Sequence, residues 1–144
     1  MRKLALDLGS RSCGFAISDP MCIIASGLEN LKFEEKDFEA VLQRISFYLK
    51  QYSDVDLIIL GYPLRSNGDK SQTTLMVEEF KQMLEKYLLA NNYQIPIKLI
   101  NEYGSTIKAE SVLIESGMTR QKRKTLKDKL AAVIILQEYL KYYI

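Results

Sequence analysis

Residues 3–20 read KLALDLGSRSCGFAISDP, and the reading of this stretch decides the fold. Asp7 stands inside an apolar run, with Leu4, Ala5 and Leu6 before it and Leu8 after it. Gly9 follows, and a second apolar run over 12–18 ends on another acid, Asp19. Two such runs so close together predict an antiparallel hairpin around the turn Gly9-Ser10-Arg11-Ser12. A carboxylate in this setting has two readings. It is a surface acid at the end of an edge strand, or it belongs to a central strand and is kept there for chemistry. The apolar residues on both sides favour the central strand.

The rest of the chain extends this hairpin. IIASGLENL (23–31) reads as a third strand of the same meander. In 34–52, Phe38, Val41, Leu42, Ile45, Tyr48 and Leu49 recur at steps of three and four, which predicts an amphipathic helix. DLIILGYP (56–63) is a continuous apolar run stopped by glycine and proline, as expected of a strand buried on both faces. RSNGDKSQ (65–72) is a loop by composition, and helical periodicity returns from about Thr73 to Leu89. IPIKLINE (95–102) reads as a strand. STIKAESVLIESG (105–117) reads as a short helix stopped by Gly117, and a last helix runs from about Thr125 to the C-terminus. The order β-β-β-α-β-α-β-α-α predicts an α/β fold with a mixed sheet, and no linker divides residues 1–144 into two domains.

Composition narrows the function. The 144 residues are 47% hydrophobic and 26% charged, an ordinary globular balance. A net charge of only +2 means that any basic footprint must be local. There is no histidine, which excludes serine–histidine and cysteine–histidine hydrolase schemes and removes the commonest transition-metal ligand. Cys13 and Cys22 lack a CxxC spacing, and both are expected to be reduced core thiols. No apolar segment long enough to span a membrane and no signal-peptide pattern is present, so the expected location is the cytoplasm, with no membrane partner.

Three acids stand where an acid is not needed for solubility. Asp7 is one. Glu102 follows IKLI at the carboxyl end of an expected parallel strand, where α/β sheets bind ligands; an acid favouring a following helix dipole is the competing reading. Asp128 shares a helical stripe with Ala132, Ile135 and Tyr139, and Ala131 and Ala132 would let that helix pack closely on the sheet; a solvated first-turn acid is the competing reading. Carboxylates brought together repel, and a divalent cation relieves the repulsion. Without histidine, a hard ion such as Mg²⁺ or Mn²⁺ suits the set. TRQKRKTLKDK (119–129) supplies Arg120, Lys122, Arg123, Lys124, Lys127 and Lys129 around Asp128. That segment is either a solubilising loop at the start of the helix or a grip for a phosphodiester backbone.

The opening stretch resembles the N-terminal signature of the YqgF family, an Asp-x-Gly turn followed by a Gly-x-Ala-x-Ser-Asp strand. IILGYPL (58–64) is similar to the family's Gly-Leu-Pro strand end, with Tyr62 for leucine, and NGDKS (67–71) to the loop after it. NEYGST (101–106) resembles the Asp-Glu-Arg-x-Ser-Thr motif, and KDKLAAVIILQEYL (127–140) the closing helix. Five motifs in register cover essentially the whole chain. The resemblance implies a ribonuclease-H-like fold, similar to the junction resolvase RuvC, with a five-stranded sheet of order 3-2-1-4-5. It implies Asp7, Glu102 and Asp128 as a catalytic, metal-holding triad, with Asp7 on the central strand. Gly61 would then leave room between two carboxylates. Two departures stand out: Tyr103 replaces the motif's arginine and Asn101 its aspartate. Arg11, Arg65 or the basic segment could take over a phosphate contact.

The resulting expectation is a metal-dependent nuclease using one or two Mg²⁺ or Mn²⁺ ions, with Arg11, Arg120, Lys122, Arg123, Lys124 and Lys127 as substrate-binding residues. What the resemblance implies for substrate is maturation of the 5′ end of 16S ribosomal RNA, with pre-ribosomal particles as partners, or cleavage of four-way DNA junctions. Junction cleavage calls for a homodimer, whereas RNA processing is open to a monomer. Two other classes compete. A phosphotransferase related to the actin-like kinases would need a second Asp-x-Gly hairpin, which is missing. A non-catalytic RNA-binding ribosome-assembly factor would bind RNA without metal-dependent cleavage.

Overall fold

The computed structural model describes residues 1–63, 71–101 and 120–142, with side chains in the last helix from residue 130. In chain order the elements are β1 (Arg2–Leu8), β2 (Ser12–Ser18), β3 (Ala25–Lys32), α1 (Phe38–Gln51), β4 (Val55–Tyr62), α2 (Gln72–Ala90), β5 (Ile97–Asn101) and a last helix, here α3 (Arg120–Tyr142). The sheet order is β3-β2-β1-β4-β5. β1, β2 and β3 form an antiparallel meander, and β4 and β5 join β1 in parallel. β1 is therefore central, as the apolar surroundings of Asp7 predict.

Side-chain alternation divides this sheet between two cores. Leu4, Leu6 and Leu8 of β1, Cys13, Phe15 and Ile17 of β2, and Ile58 and Leu60 of β4 pack against α1 and α2. Ala5, Ala16, Ile59 and Ile100 pack against Ala132, Ile135, Leu136 and Tyr139 of α3. The first core holds the large rings. Phe38 meets Phe80 edge-on at 5.5 Å, and Phe15 meets Tyr48 at 5.2 Å. The six residues whose spacing predicts α1 are its six buried residues. The second core is built of smaller residues where α3 crosses β1 and β2.

Local chemistry sets the joints. At the β1–β2 turn the Gly9 N–H donates to the Ser12 carbonyl at 2.7 Å, and a Cβ on Gly9 would stand 3.3 Å from that oxygen. The turn is tied to the chain leaving β3: Phe33 N–H donates to Arg11 O at 3.0 Å and Lys36 N–H to Ser10 O at 2.6 Å. Ser71 caps α2 by accepting from the Thr74 N–H, while the Thr74 hydroxyl accepts from the Ser71 N–H and donates to the Pro63 carbonyl. Ser71→Ala removes the cap and should cost about 1 kcal/mol. Urea denaturation checks this, and an unchanged midpoint would show that the cap contributes nothing.

Glu29 of β3 ties the sheet to α1. It accepts a hydrogen bond from Arg44 and another from the Tyr48 hydroxyl at 2.6 Å. Burial works to raise the Glu29 carboxyl, but the Arg44 and Tyr48 hydrogen bonds and the Arg44 charge outweigh it and hold its pKa below the ordinary 4.5. A carboxyl lowered by folding stabilises the protein above its unfolded pKa, and the gain is lost as pH falls through the folded value. The melting temperature should therefore drop as pH falls below about 5. Glu29→Gln should flatten that part of the profile, and an equally steep profile in the variant would assign the acid sensitivity to other groups.

Three expectations change. The last helix starts at Arg120, not near Thr125, because Arg, Gln and Lys are good helix formers. Arg120, Lys122, Arg123 and Lys124 are therefore helical and not part of a loop. Cys22 is not a core thiol: it is only half-buried, in the β2–β3 connection at φ 58°, with its Sγ 3.0 Å from the Met1 carbonyl. Cys13 is fully buried as expected. The expected helix over 105–117 and most of the 65–72 loop lie outside the described residues. Among the described residues, no helix is long and apolar enough to cross a membrane.

Candidate active site

Asp7 lies near the carboxyl end of the central strand. Its neighbours Leu6 and Leu8 enter the α1–α2 core, so alternation turns Asp7 to the other face, shared by Ala5 and α3. It is half-buried there. Across the hairpin its partner is Gly14. On the other side the β1–β4 register runs Leu4–Ile58, Ala5–Ile59 and Leu6–Leu60, which brings Gly61 level with Asp7 one residue on. Gly61 in turn pairs with Ile100 of β5. The carboxylate therefore stands between two buried positions that carry no side chain. Gly61 lies near the end of β4, the strand between β1 and β5, as expected. Gly14 was not singled out by sequence reasoning, although counting outward from the Ser10-Arg11 turn would have paired it with Asp7.

Ala132, Ile135, Leu136 and Tyr139 of α3 share a buried cluster with Ala5 of β1 and Ala16 of β2, so the helix covers the Asp7 face of the sheet. The Asp128 side chain, those of Arg120, Lys122, Arg123, Lys124 and Lys127, and all of Glu102 and Tyr103 lie outside the described residues. Arg11 is in the turn just beyond Asp7. It is 75% exposed and 3.8 Å from Glu35, so it is available at that end of the sheet.

The opposite end of the hairpin is a structural lock. Ser18 is fully buried, and its hydroxyl accepts the Lys3 N–H at 2.8 Å. Asp19 accepts the N–H groups of Met21, Ile23 and Ile24 at 3.3, 2.7 and 2.8 Å. These bonds, that of Ile24 foremost, hold its carboxyl below the ordinary range. The second acid of the opening stretch thus closes a turn, a strand's length from Asp7.

Among the described residues no three potential metal ligands meet, since Asp7 is the one triad member whose side chain is described. What is described fits a hard cation. The donor is a half-buried carboxylate, the flanking positions are glycine, and the chain has no histidine. Such a site offers oxygen ligands and space, which Mg²⁺ and Mn²⁺ require.

Strand order, the antiparallel meander, the parallel β1-β4-β5 arm and a helix laid over the Asp7 face together define a ribonuclease-H-like α/β fold. The model of the RuvX Holliday junction resolvase family matches residues 1–142, and the chain belongs to that family of nucleases. A Mycoplasmopsis pulmonis protein named "Putative pre-16S rRNA nuclease" is 45% identical over 145 residues, covering 100% of this chain and 95% of its own. A Ureaplasma parvum protein of the same name is 46% identical over 142 residues, covering 97% and 96%. The structure of Thermus thermophilus RuvC with a Holliday junction substrate superimposes with a TM-score of 0.60 over 98% of this chain and 95% of that one. At 13% identity that likeness speaks for the fold alone.

Proposed function

We propose that the protein is a metal-dependent endonuclease that matures the 5′ end of 16S ribosomal RNA. The observation that carries this reading is Asp7, a half-buried carboxylate on the central strand between two glycines, on the face crossed by α3. The names of the full-length relatives support the RNA substrate. Asp7, Glu102 and Asp128 would hold Mg²⁺ or Mn²⁺. Placement supports the set: Glu102 follows β5 two residues after Ile100, which shares the Asp7 face, and Asp128 lies one turn before Ala132. When bound, the ion makes an attacking hydroxide accessible near neutral pH and stabilises the leaving oxygen. The protein's own part is to fix the carboxylates, to grip the backbone through Arg11, Arg120, Lys122, Arg123, Lys124 and Lys127, and to hold the phosphate in line.

The family description favours a second reading, cleavage of four-way DNA junctions, whose paired cuts would call for a homodimer. A paired assay separates the two. Purified protein meets an RNA spanning the 16S 5′ precursor boundary and, separately, a four-way DNA junction, each with Mg²⁺, Mn²⁺ or chelator. Cleavage of the RNA alone, abolished by chelator, is the expected result. Symmetric junction cuts would move the protein to recombination. Binding of RNA without cleavage would make it an assembly factor, with Tyr103 in place of arginine as the first suspect.

A further inference from the structure

We infer that Glu35 is a positioning residue, which holds Arg11 until an RNA phosphate displaces it. This rests on the proposed role of Arg11 as a contact to the substrate backbone. Arg11 stands in the β1–β2 turn, whose first residue, Gly9, comes two after Asp7. Lys32, the last residue of β3, pairs with Ser12, so the chain leaves β3 beside that turn. Two backbone hydrogen bonds then dock the connection between β3 and α1 on the turn. Phe33 N–H donates to Arg11 O at 3.0 Å, and Lys36 N–H to Ser10 O at 2.6 Å. The Phe33 ring packs against the larger core and meets Phe38 edge-on at 6.2 Å. Lys36 is held at φ 57°, in the left-handed region that a residue with a side chain rarely adopts. Such a conformation persists only where its surroundings impose it. Glu35 lies between these two anchors, so its backbone is fixed beside Arg11.

The Glu35 carboxylate reaches the guanidinium, with Oε2 3.8 Å from Nη2. The two side chains are 61% and 75% exposed, and an ion pair so open to water adds little to stability. The fold does not need it, and its effect falls on binding. A carboxylate and a phosphate are both taken by the N–H fork of an arginine, so the N–H groups turned to Glu35 are withheld from a phosphate. An RNA phosphate arriving at Arg11 must displace Glu35 and then lie beside its negative charge. Without RNA, Glu35 keeps the Arg11 side chain at the turn and holds down the affinity of this end of the sheet for a polyanion. Run backwards, the same exchange helps a cleaved strand to leave.

The test is a double-mutant cycle on binding. Fluorescence anisotropy follows a labelled RNA spanning the 16S 5′ precursor boundary, with chelator present so that nothing is cleaved. The proteins are the parent, Glu35→Gln, Arg11→Gln and the double variant, each with its melting curve. Glu35→Gln should bind about three- to tenfold more tightly at about 50 mM salt, and the gain should fade as salt screens the pair. Arg11→Gln should bind more weakly than the parent, and adding Glu35→Gln to it should change affinity less than about twofold. No gain in Glu35→Gln overturns the inference. So does an equal gain with and without Arg11, which would make Glu35 a general repulsive charge. So does a clearly lowered melting temperature in Glu35→Gln, which would make the pair structural. If Arg11→Gln binds RNA like the parent, the role of Arg11 in the proposed site fails, and the inference goes with it. If the parent itself does not bind this RNA, the RNA reading fails first.

Discussion

Asp7→Asn should abolish cleavage and leave the fold intact. Asparagine keeps the shape of the side chain and removes its charge, so the end of β1 and its pairing with Gly14 are preserved. What is lost is an anionic oxygen for the cation. A fall in kcat of at least about a thousandfold is expected, equivalent to about 4 kcal/mol of transition-state stabilisation. A second readout does not depend on turnover. A cation that binds only the folded state raises its stability by about 2.7 kcal/mol at a hundred times its dissociation constant. Mn²⁺ should therefore raise the melting temperature of the parent and not that of Asp7→Asn, while in chelator the two should melt alike. Parental cleavage by the variant would remove Asp7 from the site. Parental cleavage together with a retained Mn²⁺ shift would remove the metal site as drawn.

Phe80→Ala should be the most destabilising single truncation. Phe80 is fully buried on α2, and its ring meets Phe38 of α1 edge-on at 5.5 Å. It links the two helices that cover one face of the sheet. Truncation removes a large apolar side chain and leaves a cavity that the surrounding strands are too rigid to fill, at a cost of about 3–5 kcal/mol. Against a usual total of about 5–15 kcal/mol, that is a large share. Urea denaturation should show the lowered midpoint, and a loss under about 1 kcal/mol would mean that the core collapses around the gap. Phe80 lies on the face opposite Asp7, so the folded fraction of the variant should still bind Mn²⁺.

Much of this was legible in the sequence because the signals are local or periodic. The helix stripe from Phe38 to Leu49 and the apolar run before Gly61-Tyr62-Pro63 each report their own burial. Errors came where local signals compete. The basic run from Arg120 reads as a loop by charge, yet its residues favour helix, and propensity prevailed. Cys22 reads as core because its neighbours are apolar, yet Met21, Ile23 and Ile24 are themselves exposed. Asp19 resembles Asp7 in sequence, each closing or interrupting an apolar run. Only the hydrogen bonds from Met21, Ile23 and Ile24 show that Asp19 locks a turn.

By itself the sequence determined the order of the described elements, the two-sided burial of the central strands and the absence of histidine chemistry. These depend on composition and on periods of two and 3.6 residues, which any stretch of chain carries within itself. The tertiary structure alone decided that Asp7 lies on the α3 face and not in the α1–α2 core, and that Gly14 and Gly61 flank it. Those facts depend on strand register and helix packing. Both are settled between residues far apart in the chain, such as Leu6 paired with Leu60 and Ala5 clustered with Ala132, and no local pattern encodes them.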